Sequence, residues 1–422
     1  MTRKIIKRKM PVLLVALFFA ASTMAGASTI TGFEQTSGTF NINPESMINH
    51  KGANVGFRNY TDFQLSKGDI ANLIFKYGAE NVAKFVNMVD NQININGVVN
   101  TMRDGNFYAG DAVFVSPKGM VVGQDGVLNV GSLSVYTPTT AGMKMLRDGV
   151  AAGNLTATYK DEEVDLLDAM AWHGNAPITV NGKVLSRNDV NMVANTFNLG
   201  ATGGIAAGAN PSDVVTADNA ADLFNSLVKT SNNSNINIRT YDRANEGAKV
   251  GGVTISGELK NMGSGSLIVQ NRGSNGLTTA SSAKIVNSNG ELHLVNAKGT
   301  MNIAGNVTSD GDALHLTNGP SAGKMTVTGT LTGNQGTRIY NRTASGAAIG
   351  GNIVNTGKGL AITNEKGELV LSGDIQNNNA NMNITSQGTG LQLNGNINAS
   401  GGHVKHFSNS HLHLLLSLYK TP

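Results

Sequence analysis

The residue types able to do chemistry are sparse in this chain and mostly stand alone. There is no cysteine, which excludes thiol chemistry and disulfide staples. Of the eight histidines, His293 and His315 fall in strand-like segments with no acid partner fixed by spacing. Four more stand at His403, His406, His411 and His413. The His411-x-His413 spacing suits a metal-binding tract, but residues 403–422 (HVKHFSNSHLHLLLSLYKTP) read as an atypical, truncated or frameshifted end. Asp161, Glu162 and Glu163 are consecutive and point in different directions, as at a solvated helix start rather than in a calcium loop. Asp310-Gly311-Asp312 could serve a calcium-assisted polysaccharide-active enzyme, yet Asp-Gly is what a turn uses anyway. This reading predicts no catalytic residue, no metal and no cofactor. Function must then come from the scaffold.

Composition narrows what that scaffold can be. Only 14% of residues are charged and 5% are aromatic, while 52 are glycine. The net charge of +4 misleads, because residues 1–27 hold Arg3, Lys4, Lys7, Arg8 and Lys9 and no acid. Without them, 32 − 5 = 27 basic residues face 28 acidic ones, a net of −1. A nucleic-acid-binding role loses its electrostatic footing. Those same residues read as a signal peptide: a basic start, the apolar run Pro11–Ala21, then Ala25-Gly26-Ala27 with cleavage before Ser28. The apolar run is too short to span about 30 Å of hydrocarbon. The expected location is outside the cell or on its surface, reached through the periplasm.

The elements that must carry the function are strands. Residues 28–66 alternate, with turns at Asn43-Pro44 and Lys51-Gly52. Between Ile95 and Pro138 lie four short strands, Val98–Val99, Ala112–Val115, Met120–Val122 and Val127–Val135, separated by Gly-, Pro- and Asn-bearing turns. Strand rhythm returns from Asn175 to Gly208. Three stretches read as helix. In 66–90, Ile70, Leu73, Ile74 and Tyr77 are followed by Val82, Phe85, Val86 and Val89 at helical spacing. Residues 161–172 place acids at a helix start, with Trp172 and His173 covering the β core beyond it. Residues 216–230 put Leu223, Phe224, Leu227 and Val228 on one face.

From Lys249 the chain repeats. A small residue recurs between aliphatic neighbours at 257, 283, 305, 329, 351, 373 and 395, in steps of 26, 22, 24, 22, 22 and 22. Between these slots a second strand ends in Asn: Leu267–Asn271, Leu292–Asn296, Leu314–Asn318, Arg338–Asn341 and Leu360–Asn364. A period near 22 with two or three strands per turn means a solenoid whose turns stack about 4.8 Å apart. Aliphatic residues point inward in columns, while Thr, Lys and Asn point out. The recurring small residue marks a bend with no room for a side chain. Asn at turns suits left-handed backbone and side-chain ladders. The fold class is therefore all-β, a right-handed parallel β-helix with an N-terminal cap and a few flanking helices.

The order of pieces in 95–138 also resembles a known family. A strand ending in Phe114-Val115, the turn Ser116-Pro117-Lys118-Gly119-Met120, then Val121-Val122-Gly123 and Val127-Leu128-Asn129-Val130-Gly131-Ser132-Leu133 is similar to the secretion domain of filamentous haemagglutinin-type exoproteins. Leukotoxin-type filamentous adhesins are the nearest resemblance. The family's Asn-Pro-Asn-Gly-Ile turn differs here at both Asn positions, as in a diverged branch. Asn43-Pro44 partly matches a second Asn-Pro turn. The resemblance implies two-partner secretion: a secretion domain at 28–248, read by an outer-membrane β-barrel transporter with POTRA domains, and a β-helical shaft at 249–402. The implied recognition residues are Ser116, Pro117, Lys118, Gly119 and Met120 with Val127, Asn129 and Gly131. The implied function is a filamentous adhesin and virulence factor that binds a host-cell or bacterial surface receptor. The rivals are an extracellular β-helical polysaccharide-active enzyme and the carrier part of a contact-dependent toxin.

Overall fold

The computed structural model describes residues 27–159, 162–171, 173–210, 215–243 and 249–408, together with the short strands Leu412–Leu414 and Leu418–Tyr419. Residues 1–26 of the proposed leader and part of the tail lie outside the described residues, as do Asp161 and Trp172.

The chain winds as a parallel β-helix with three strands per turn. Among the described residues three sheets of 14, 15 and 14 strands run its length, and beyond the N-terminal end nearly every strand is hydrogen-bonded in parallel to the equivalent strand one turn away. Along one turn the chain visits the first sheet at Met120–Val122, the second at Val127–Val130 and the third at Ser132–Tyr136. Fourteen strands at about 4.8 Å stack to roughly 60 Å. The register is one to one over most of the coil, as in Leu292↔Leu314 through Asn296↔Asn318. Ile236–Tyr241 pairs along its whole length with Leu267–Arg272, and residues 244–248 lie outside the described residues.

Strict alternation drives this winding. In Leu314–Asn318 the side chains of Leu314, Leu316 and Asn318 are buried while His315 and Thr317 look outward. Stacked turns merge those inward residues into one apolar cluster reaching from Ile30 to Ile397. A buried Leu or Ile contributes about 1.5–3 kcal/mol, and that gain exists only when the turns above and below are folded.

The small-residue slot behaves as its spacing predicts. It lies at the corner between the first and second sheets, where backbones of successive turns touch. A Cβ on Gly351 would come within 1.9 Å of the Gly329 carbonyl oxygen, and one on Gly373 within 2.1 Å of that of Gly351.

The Asn residues correct the sequence reading in part. They form a ladder, but inside the coil and in extended strands; the non-glycine residues with positive φ among those described are Lys51, Asp104 and Asn379. Asn271, Asn296, Asn318 and Asn341 are buried and each donates from Nδ2 to the Oδ1 of the next Asn at 2.7–2.9 Å. Each of the first three also donates to a carbonyl of the following corner, as Asn318 does to Gly323 at 2.8 Å. A primary amide is suited to this place because it donates twice and accepts in line with the coil axis.

The N-terminal end departs from the plain coil. Thr29–Ile30 pairs antiparallel with Phe63–Leu65, and Ser46–His50 antiparallel with Ala53–Tyr60, so reversed strands cover the first turn. The expected helix over 66–90 is absent. Ile70–Ile74 and Lys84–Val89 are coil strands, joined through the hairpin Lys76–Tyr77/Glu80–Asn81. Ala71, Leu73 and Phe75 alternate inward there, and parallel pairing on both edges outweighs a chance helical spacing.

Helix α1 (Thr140–Ala151) stands where irregular chain was expected, started by Thr139, whose side chain accepts from the Gly142 amide. The expected acidic helix is instead a hairpin, Thr156–Tyr159 with Glu162–Asp165, followed by the single helical turn α2 (Leu166–Ala169). Both helices cover the third sheet through Met143, Leu146 and Leu166. Helix α3 (Ala220–Asn225) is shorter than expected. Phe224 anchors it on the second sheet, but Val228 is 71% exposed rather than on the buried face.

Candidate functional site

The turn at Ser116–Met120 is built by the strand before it and the corner after it. Asp111–Val115 ends where the Ser116 amide donates to the Tyr136 carbonyl at 3.0 Å. The Ser116 hydroxyl donates to the Asn91 carbonyl and accepts from the Lys118 amide, at 2.8 and 3.1 Å. The Gly119 amide closes the turn on the Ser116 carbonyl at 3.2 Å. Gly119 has φ +88°, and a Cβ there would sit 2.0 Å from the Pro177 oxygen. Only glycine fits.

The turn is therefore fixed by its neighbours on both sides. Within it Ser116, Pro117, Gly119 and Met120 are buried, and Lys118 alone presents its side chain. Val127, Asn129 and Gly131 are buried as well. Asn129 donates to Asn100 at 3.0 Å, and the Gly131 amide donates to the Thr101 hydroxyl at 3.2 Å. The residues singled out by resemblance thus form one locked corner, held to the coil by the Ser116 hydroxyl, the Asn129 amide and the backbone amides of Gly119 and Gly131.

The other sequence-selected residues lie at the cap, away from that corner. Pro44 is buried and leaves no room for a Cβ on Gly56, while Asn43 is exposed and donates to the Lys76 carbonyl at 3.3 Å. Ala27 is exposed. Ser28 is buried; its hydroxyl donates to Asp69 at 2.5 Å and accepts from the Ser66 amide at 2.8 Å. Ala25 lies outside the described residues.

The acidic candidates resolve into structural roles. Asp310 pairs with Lys229 at 3.8 Å and accepts from Asn334, while Asp312 faces Lys358 at 3.7 Å and accepts from the Ala313 amide. Each of the two carboxylates thus has a lysine beside it. Glu162 and Glu163 are exposed on their hairpin. Asp165, not singled out from the sequence, ties the cap to that hairpin through His50 at 2.7 Å and Lys51 at 2.5 Å. Burial works against its charge, but hydrogen bonds from Lys51, His50 and the Leu167 and Asp168 amides prevail and hold its pKa at about 2.

The histidines give the clearest correction. His293 and His315 do have an acid partner: Glu291 lies 2.9 Å from His293 Nε2 and 3.9 Å from His315 Nε2. Their rings stack with centroids 4.4 Å apart and planes within 5°. Burial, then the charge of His293, lowers the pKa of His315 below its ordinary value. The two stand one repeat apart, 315 − 293 = 22 residues, so the period itself could have found them. His403 is exposed; the side chains of His406 and His413, and all of His411, lie outside the described residues.

Together these features define a capped parallel β-helix with a locked corner near its start. No protein-family model matches the chain, and no curated protein matches it. Among solved structures it is similar to the HMW1 secretion domain from Haemophilus influenzae, at 12% identity and a TM-score of 0.36, over 90% of this chain and 98% of that one.

Proposed function

We propose that this chain is the N-terminal part of a two-partner-secretion exoprotein of the filamentous haemagglutinin type, exported as an adhesin. Residues 28–248 would form the domain read by an outer-membrane β-barrel transporter with POTRA domains. Residues 249–402 would form the start of a shaft that presents adhesive surface to host or neighbouring cells outside the outer membrane. The observation that carries this reading is the ordered series of motifs in 95–138, which folds as consecutive strands and corners of the coil just beyond its cap.

The physical chemistry agrees with such a role. A turn of this coil has no stable apolar core until its neighbour is in place, so the chain suits threading as an extended polymer and winding up outside. The absence of cysteine means that no disulfide can block the passage. The paired state of Asp310 and Asp312 speaks against the polysaccharide-active rival. The test is to express the full chain with and without its matching barrel transporter and assay the culture medium. Appearance in the medium only with the transporter is expected; equal appearance without it would sink the proposal.

A further inference from the structure

We propose that Glu291, His293 and His315 form a binding site for a divalent transition-metal ion, zinc being the natural occupant, on the outer face of the third sheet. The site does not depend on the secretion reading. Leu292–Asn296 and Leu314–Asn318 are paired in register, which places His293 opposite His315 with both side chains on the outward side. Glu291 immediately precedes the first of these strands and reaches over both imidazoles.

Three observations on this trio point to a ligand. The first is distance: the donor atoms of all three residues lie within 4.8 Å of one another, with Glu291 oxygens 2.9 and 3.9 Å from the two Nε2 atoms. A tetrahedral zinc ion with bonds near 2.0 Å holds its donors about 3.3 Å apart, inside that range. The second is satisfaction. His315 Nε2 is shut off from solvent, and among the described residues it has no hydrogen-bond partner. A buried polar atom left unpaired is destabilising, and metal coordination removes that cost. The third is placement: both imidazoles hang side by side from strands hydrogen-bonded in register, and coordination of a common ion turns the rings out of their stack.

Two imidazoles and one carboxylate are borderline donors that suit zinc, cobalt, nickel or copper better than calcium or magnesium. Three protein ligands leave one position open. Beyond His315, on the side away from His293, a shallow groove of about 280 Å³ is lined by Thr317, Arg338, Tyr340 and Thr363. A bound ion would also bridge two successive turns of the coil.

The four tail histidines could bind metal themselves and must be removed from the measurement. The parent protein is the full chain carrying His403→Ala, His406→Ala, His411→Ala and His413→Ala, freed of metal with a chelator and titrated with cobalt(II). One ion per chain is expected, with the visible absorption of four-coordinate cobalt, displaced by zinc. His293→Ala and His315→Ala should abolish that absorption, and Glu291→Gln should weaken binding by more than about tenfold, the lower end of what even outer-shell changes cost. Circular dichroism of the variants checks that the coil remains folded. No cobalt absorption in the parent would overturn the proposal. So would binding that persists in folded His293→Ala/His315→Ala, since it would place the ion elsewhere.

Discussion

The two ends of this coil share one backbone path but are filled by different chemistry. Before residue 225 the core is aromatic: Phe40, Phe57, Tyr60, Phe63, Phe85, Phe114 and Phe197 are fully buried. Tyr60, Phe63 and Phe114 stack edge to face at 5.4 and 5.7 Å. Beyond residue 249 the described core holds Leu, Ile, Val, Met and Ala, with the Asn ladder beside them. The early turns vary in length and carry α1, α2, α3 and a cap, each needing its own contacts. The later turns are near copies and need only each other. The comparison teaches that a repeating coil can be built from side chains with little individuality, whereas its beginning must be specified residue by residue.

That contrast can be broken by substitution. The largest loss is expected from Phe114→Ala in the aromatic core, about 3–5 kcal/mol, read as a drop in the urea midpoint of the purified protein. Gly351→Glu in the repeat tract should cost about 3 kcal/mol or more, since a side chain there must displace the Gly329 carbonyl and desolvate a charge. A melting curve unchanged from wild type would mean that the corner is not where the coil needs smallness.

Asn318→Ala probes the ladder. It leaves the Asn296 amide and the Gly323 carbonyl without their partner, for an expected loss of about 1–3 kcal/mol. A loss below about 0.5 kcal/mol, the range of an ordinary surface change, would mean that the ladder is incidental.

Acid should separate the two regions more gently. Asp165 pins the hairpin at 162–165 to the cap and is held at about 2, against an ordinary 3.8. Asp242 is held at about 2 as well; burial opposes its charge, but the Gly251 amide, Ser274 and Lys298 outweigh that. Both pKa values are depressed in the folded protein, so the stability they contribute is present above pH 3.8 and is lost as pH falls toward 2. Proteolysis at the cap hairpin and at the 242–251 junction should rise over that interval, while the distal repeats stay resistant. Asp165→Asn should remove the cap's share of that acid sensitivity.

What was legible in the sequence follows the same division. From Lys249 on, the small-residue slot and the terminal Asn are dictated by backbone contact and by an axial amide ladder, so position and residue type recur and the period can be counted. In the first half no such rule repeats. Ile70, Leu73, Ile74 and Tyr77 imitate a helix because an alternating strand that also carries outward aliphatics satisfies both spacings. Helix α1 is hidden by Gly142 and Gly149, two weak helix formers that its packing on the third sheet overrides. The turn at 116–120 was visible as a motif, but not that its serine and methionine face inward, because that depends on Asn91, Tyr136 and Pro177 one turn away. The Glu291–His293–His315 trio was missed by looking for local spacing; its members meet only when residues one period apart are laid side by side.

We propose that the early turns carry the export address, which the later turns do not contribute to. Lys118 is exposed at the locked corner, and Lys324 is exposed on the repeat tract. Transporter-dependent secretion of the full chain carrying Lys118→Glu, measured beside the full chain carrying Lys324→Glu, compares the same charge reversal in the two regions. The account predicts that the first accumulates in the periplasm while the second reaches the medium as wild type does. Equal secretion of the two would contradict it.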